Sequence, residues 1–191
     1  MMNNVEVIFV FIISVFILFT IQKKYYEVSY VLSSVDNKHY VVKNVDDKQK
    51  AANILARLNK KILKLLGHVK SKYPVDEDTL RLLSNYNSDN IFEGTETSNY
   101  TSYSVNKGEK LVFCLRSRDG TDSFVDENVL MYVATHELAH LMTKEIGHPE
   151  SFWNNFKKLL QDAIDAKVYR KVDFSKKPVN YCGIDIKSSV I

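Results

Sequence analysis

The sequence predicts an α+β fold in which a small antiparallel sheet packs around a central helix, with one amino-terminal transmembrane helix in front. Three observations carry that prediction. Segments with apolar residues three and four apart alternate with short strand-like runs. One helical segment, residues 126–146, is apolar on two sides and holds the string His136-Glu137-Leu138-Ala139-His140. Residues 5–21, VEVIFVFIISVFILFTI, are apolar but for Glu6, Ser14 and Thr20.

Composition allows one domain and an appendage. Hydrophobic residues make up 45% of the 191, which excludes a disordered chain. The formal charge of +3 is too small for a nucleic-acid footprint, so no nucleic-acid partner is expected. Two cysteines exclude a disulfide-dense scaffold and a four-thiolate zinc knuckle, so a metal site must draw on the five histidines and the carboxylates.

Residues 1–24 read as an uncleaved membrane anchor. The apolar run covers about 25 Å at helical rise, short of the roughly 30 Å hydrocarbon core. Gln22, Lys23, Lys24, Tyr25 and Tyr26 are placed to make up the difference at the headgroups. No basic residue precedes the run and no small-x-small site follows it, so a cleaved signal peptide fits poorly. The two lysines after the span predict a single-pass protein whose carboxy-terminal domain is cytosolic or interior to a virion.

Residues 25–45 read as a stalk or short hairpin around Asp36-Asn37, and 46–191 as the domain itself. From Asp46 to about Lys72, apolar Ala51, Leu55, Leu58, Ile62, Leu65 and Val69 face away from a lysine-rich side, which predicts an amphipathic helix with a solvated basic face. Pro74 stops it, and a short helix follows over 77–86. Residues 87–99 read as a polar loop. Thr101–Val105 and Lys110–Arg116 flank Asn106-Lys107-Gly108 as a hairpin. Asp126 is placed to cap the central helix, Gly147 to end it after Ile146, and Pro149 to start the last helix. That helix has a packing stripe of Phe152, Phe156, Leu159, Leu160 and Ala163. The tail after Asp173 shows no period.

The chemistry lies in the central helix. His136 and His140 are four apart, so their imidazoles share a face one turn apart and can reach one zinc. Glu137, next to the first, is placed to take a proton from water on the metal rather than to be a ligand. A catalytic zinc needs a third protein ligand, for which His148, Glu145 and Glu150 compete. On a helix running to Ile146, Glu145 lies about 140° round from His140. Glu150 suits the amino end of the last helix. His148, at the turn, is the predicted ligand.

The strings HELAH and GHPESFW are similar to the small zincin metallopeptidases of the WLM and SprT-like groups, whose motif is HExxH followed by a His and a Phe-Trp pair. The similarity spans roughly residues 101–168. It implies a minimal zincin-like domain with one zinc on His136 and His140, Glu137 as general base, and peptide hydrolysis. In such enzymes an extended substrate lies along an edge strand, here Lys110–Arg116. The gap between His140 and His148 is longer than in several relatives. The anchored form ending PVNYCGIDIK also resembles proteins of large DNA viruses.

The expected function is a membrane-anchored zinc metallopeptidase with a protein or peptide substrate and a membrane as partners. The alternative is a catalytically idle zinc-binding structural or virion-membrane protein. A protease of DNA-bound proteins is a third reading, against which the small charge and the apolar span both argue. Tyr132 and Tyr181 are open as oxyanion stabilisers, with packing as their other role. For a domain facing the cytosol, Cys114 and Cys182 are expected as free thiols.

Overall fold

The amphipathic segment after Asp46 forms the helix on which the sheet is laid. In a computed structural model, residues 4–95 and 101–191 are described, the side chains of 4 and 22–26 excepted. Helix α2 (Lys48–Lys72) buries Ala51, Leu55, Leu58, Ile62, Leu65 and Val69, the predicted stripe. Its opposite face is polar, and Arg57 and Lys61 on it pair with Glu127. Strands β1 (Val28–Leu32) and β2 (His39–Lys43) precede it as an antiparallel hairpin, turned at Asn37 in the left-handed region (φ 58°). They join the domain's sheet instead of standing off as a stalk.

Helix α3 (Glu77–Asn85) is capped by Asp76, which accepts from the Thr79 N–H. Three short strands follow: β3 (Ile91–Glu93), β4 (Tyr103–Val105) and β5 (Lys110–Phe113). The sheet runs β1-β2-β3-β5-β4. It is mixed, not antiparallel as expected, because β3 enters between the two hairpins and pairs in parallel with both β2 and β5. β3 lies inside the segment expected to be a loop, whose last part, 96–99, is outside the described residues. Its insertion makes β5 internal, so the expected edge strand is corrected to β4.

Helix α4 (Glu127–Met142) is the central one, buried from Val129 to Met142 on most of its circumference. Asp126 caps it by accepting from the Asn128 and Val129 N–H groups. Helix α5 (Glu150–Asp165) packs along α4 through Phe152, Phe156, Leu159, Leu160 and Ala163, all buried. The aperiodic tail forms a separate hairpin of β6 (Val179–Tyr181) and β7 (Ile184–Ile186).

Two further expectations fail. Helix α1 (Asn4–Glu27) forms, and its apolar side chains from Val5 to Ile21 stay exposed and outside the core. Among the described residues, however, no helix is long and apolar enough to cross a membrane. That overturns the single-pass anchor and the localisation built on it. The apolar run by itself is about 25 Å long against roughly 30 Å of hydrocarbon, and the flanking side chains it depends on lie outside the described ones.

The second failure concerns the thiols. Cys114, just past β5, and Cys182, in the β6–β7 turn, form a disulfide across 68 positions. The tail hairpin folds back over the end of β5, where the Tyr181 hydroxyl donates to the Cys114 carbonyl at 2.8 Å, and this brings the two sulfurs together. Thiol labelling of the denatured, unreduced protein should therefore find no free cysteine. Two labelled thiols per chain would remove the disulfide from the folded protein.

Candidate metal centre

Helix periodicity puts His136 and His140 on one face of α4, and the return of the chain after α4 brings His148 to them. The three ligand nitrogens lie within 4.8 Å of one another. His136 Nε2 and His148 Nε2 are 3.2 Å apart. Two nitrogens bound at ~2.0–2.1 Å to one tetrahedral zinc stand about 3.3 Å apart, so the spacing suits a common ion. The donor set suits it too. Burial, and then repulsion from His140 and His148, hold the His136 imidazole down at about 3. Burial, and then His148, hold His140 at about 4. Both are neutral near pH 7, with lone pairs available to a metal.

Phe152 forms the floor of the cluster. Its ring is fully buried, with centroids 4.4 Å from His140, 4.5 Å from His148 and 4.9 Å from His136. Trp153 lies against the outer side of His148 at 5.7 Å. The Phe-Trp pair at the start of α5 thus buttresses the imidazoles with apolar surface and offers no competing ligand.

Glu137 faces β4 and is 5% exposed. Burial raises its carboxyl to about 7, against the opposing pull of hydrogen bonds from the Ser104 hydroxyl and backbone N–H. Among the described residues it is the one carboxyl on the wall of the cleft, of about 610 Å³, into which the three histidines open. A second cavity of about 240 Å³ adjoins it, walled by Tyr132, Val133 and, from the tail hairpin, Tyr181, Ile184 and Ile186. Tyr181 also pairs with Ser102 Oγ at 2.7 Å, so its hydroxyl is engaged by the fold. The Tyr132 ring packs edge-on against Phe156 and Phe174.

The other two candidates for a third ligand stand apart from the group. Glu145 accepts a hydrogen bond from Ser151 Oγ at 3.1 Å, and Glu150 occupies the first turn of α5. Helix α4 stops at Met142, four residues before the expected end, so Glu145 is a loop residue and not a helical one. The reason is a set of distant donors. Asn85 Nδ2 donates to the Leu141 carbonyl and an Arg81 guanidinium N–H to that of Met142. Lys107 Nζ donates to the carbonyls of His140, Thr143 and Glu145 at 2.9, 2.7 and 2.7 Å. The last-turn carbonyls that a longer helix would have satisfied are taken from outside. Lys107 and Ser104 are the site residues that the sequence does not announce: one is a turn lysine, the other a serine in a three-residue strand.

Comparison with known proteins adds a lineage. The model of a family described as Phycodnaviridae minor capsid protein P4 matches residues 35–189. Uncharacterized protein R325 of Acanthamoeba polyphaga mimivirus is 34% identical over 179 residues, covering 92% of this chain and 90% of that protein. Uncharacterized protein 136R of Invertebrate iridescent virus 6 is 33% identical over 82 residues, 42% of this chain and 44% of its own length. Among solved structures, Wss1 from Saccharomyces cerevisiae is similar with a TM-score of 0.48 and 18% identity, over 64% of this chain and 83% of that one. That likeness is too distant to bear on function.

Proposed function

Because this chain belongs to the family of the Phycodnaviridae minor capsid protein P4, we propose that it is a virion-associated structural protein of a large DNA virus, fastened by one zinc ion on His136, His140 and His148. The family match carries this reading, since residues 35–189 include four of the sheet's five strands, α4 and all three histidines. The histidines come from α4 and from the turn before α5, so an ion held by them would tie the central helix to its neighbour. Purified virions test the proposal: the protein should be present together with stoichiometric zinc. Its absence from mature particles would sink the capsid reading.

Glu137 favours a second reading, a metallopeptidase. A bound zinc would supply Lewis acidity in the cleft. The Glu137 carboxyl, which burial raises in the metal-free chain, lies on the wall of the same cleft, where it could accept and return a proton. Among the described residues β4 is the last strand of the sheet; it borders the same cleft, where an extended peptide could lie alongside it. Glu137→Gln separates the readings while keeping shape. In a structural protein the variant retains zinc, and particle yield and virion protein termini match wild type. In a peptidase it also retains zinc, but uncleaved precursors accumulate and turnover falls by about 10²–10⁴.

A further inference from the structure

His148 reaches the other two histidines only because α4 ends where it does. Were the helix to continue to Ile146, His148 would follow a turn placed about 6 Å further along the axis, at 1.5 Å per residue. Of the carbonyls freed by early termination, Lys107 takes that of His140, Asn85 that of Leu141 and Arg81 that of Met142, and the Lys107 ammonium also takes those of Thr143 and Glu145 in the loop that follows. No other described side chain bonds the carbonyls of both the helix end and the loop that follows.

The local backbone holds Lys107 there. It occupies the tip of the β4–β5 hairpin, where Asn106 and Lys107 both take left-handed conformations (φ 45° and 57°) and Gly108 follows at φ 117°. Gly108 sits so close to α3 that a Cβ on it would come within 2.1 Å of the Asn85 carbonyl oxygen. The same Asn85 donates its side-chain N–H to Leu141. The hairpin tip is therefore pressed onto the end of α3, and from that seat Lys107 reaches across to the end of α4. Its nitrogen bonds backbone carbonyls, and its charge adds to the effects that hold the His140 imidazole down.

We propose that Lys107 is the positioning residue of the three-histidine centre: its ammonium ties the His140 carbonyl at the end of α4 to the Thr143 and Glu145 carbonyls of the loop after it, which sets His148 opposite His136 and His140. The inference rests on the reading that these histidines hold a metal. Lys107 acts through His148 and not on the ion.

Cobalt(II) titration of the full chain, read by its visible absorption bands, tests this in five proteins: wild type, Lys107→Met, Lys107→Arg, His148→Ala and the Lys107→Met, His148→Ala double variant. Lys107→Met should lower cobalt affinity about 10–100-fold, the loss typical of a group that orients a ligand. Lys107→Arg, which keeps a cationic donor, should restore most of it. In the His148→Ala background, Lys107→Met should cause no further loss, because its route to the metal is already gone. Amide hydrogen exchange on the metal-free protein should show altered protection at 140–148 in Lys107→Met and unchanged protection in α2. Two results overturn the proposal: wild-type cobalt affinity in Lys107→Met, or an equal further loss in the His148→Ala background. A wild-type chain that binds no cobalt would overturn the metal reading itself and take this proposal with it. Altered exchange at 140–148 in Lys107→Met would then remain as a property of the fold alone.

Discussion

Alanine at His148 is expected to weaken zinc binding by more than about 100-fold, while Glu145→Ala and Glu150→Ala stay within a few-fold of wild type. Groups that only orient a ligand cost 10–100-fold in affinity when removed, so loss of a ligand costs more. The two carboxylates have other engagements: Glu145 holds Ser151, and Glu150 opens α5. His148 is exposed, its ring lying on Trp153 and Phe152, so the metal-free variant should melt with metal-free wild type. The metal-loaded proteins should differ. Zinc at a hundred times its dissociation constant stabilises by about 2.7 kcal/mol, roughly 5–10 °C in thermal midpoint for a domain of this size. Chelation should remove that gain from wild type and nothing from the variant. Competition against a chromophoric chelator measures the affinities, and stoichiometric, chelator-resistant zinc in His148→Ala would refute the assignment.

The ease with which the sequence yields each part follows from how local its cause is. The pair His136 and His140, the Asp126 cap and the stripes of α2 and α5 depend on spacings within one helix, and those spacings are visible in the string. The end of α4 is not, because the donors that terminate it, Lys107, Asn85 and Arg81, lie 33 to 61 positions away. Gly147 is a good helix stop by local rules, with φ at 84°, but the chain has already left the helix before reaching it. β3 escaped for a related reason. Three residues show no period, and Glu93 in a strand reads as a solvent-facing charge until its partner is known. The tail hairpin and the disulfide likewise depend on Tyr181 and Cys182 meeting the end of β5, 67 and 68 positions back. The apolar run of α1 was legible as a helix, but among the described residues no helix is long and apolar enough to cross a membrane.

Removing the charge at Arg116 should give the largest loss of stability from a single side chain. Arg116 is 4% exposed. Its Nε donates to Glu93 Oε1 at 2.8 Å, and its Nη1 to Asp47 Oδ2 at 2.8 Å. Its guanidinium lies 4.4 Å from the centroid of the Phe124 ring. Glu93 is more deeply placed still, its side chain wholly inaccessible, and its second oxygen accepts from the Lys43 N–H at 2.7 Å. The pair thus ties β3 to the end of β5, and Asp47 extends it to the start of α2. Arg116→Met would keep most of the volume but leave the Glu93 carboxylate buried without its cation. Breaking a buried pair in this way costs about 3–5 kcal/mol, which for a chain of this length lowers the thermal midpoint by roughly 10 °C or more. The charge, not the packing, is the cause, so pairing the change with Glu93→Leu should recover part of the loss by removing the stranded carboxylate. Asp47 is partly exposed and can fall back on water. Denaturant unfolding of both single variants and the double gives the coupling directly. A single Arg116→Met variant within about 1 kcal/mol of wild type would mean that water reaches Glu93 and that β3 is held by its ladder alone.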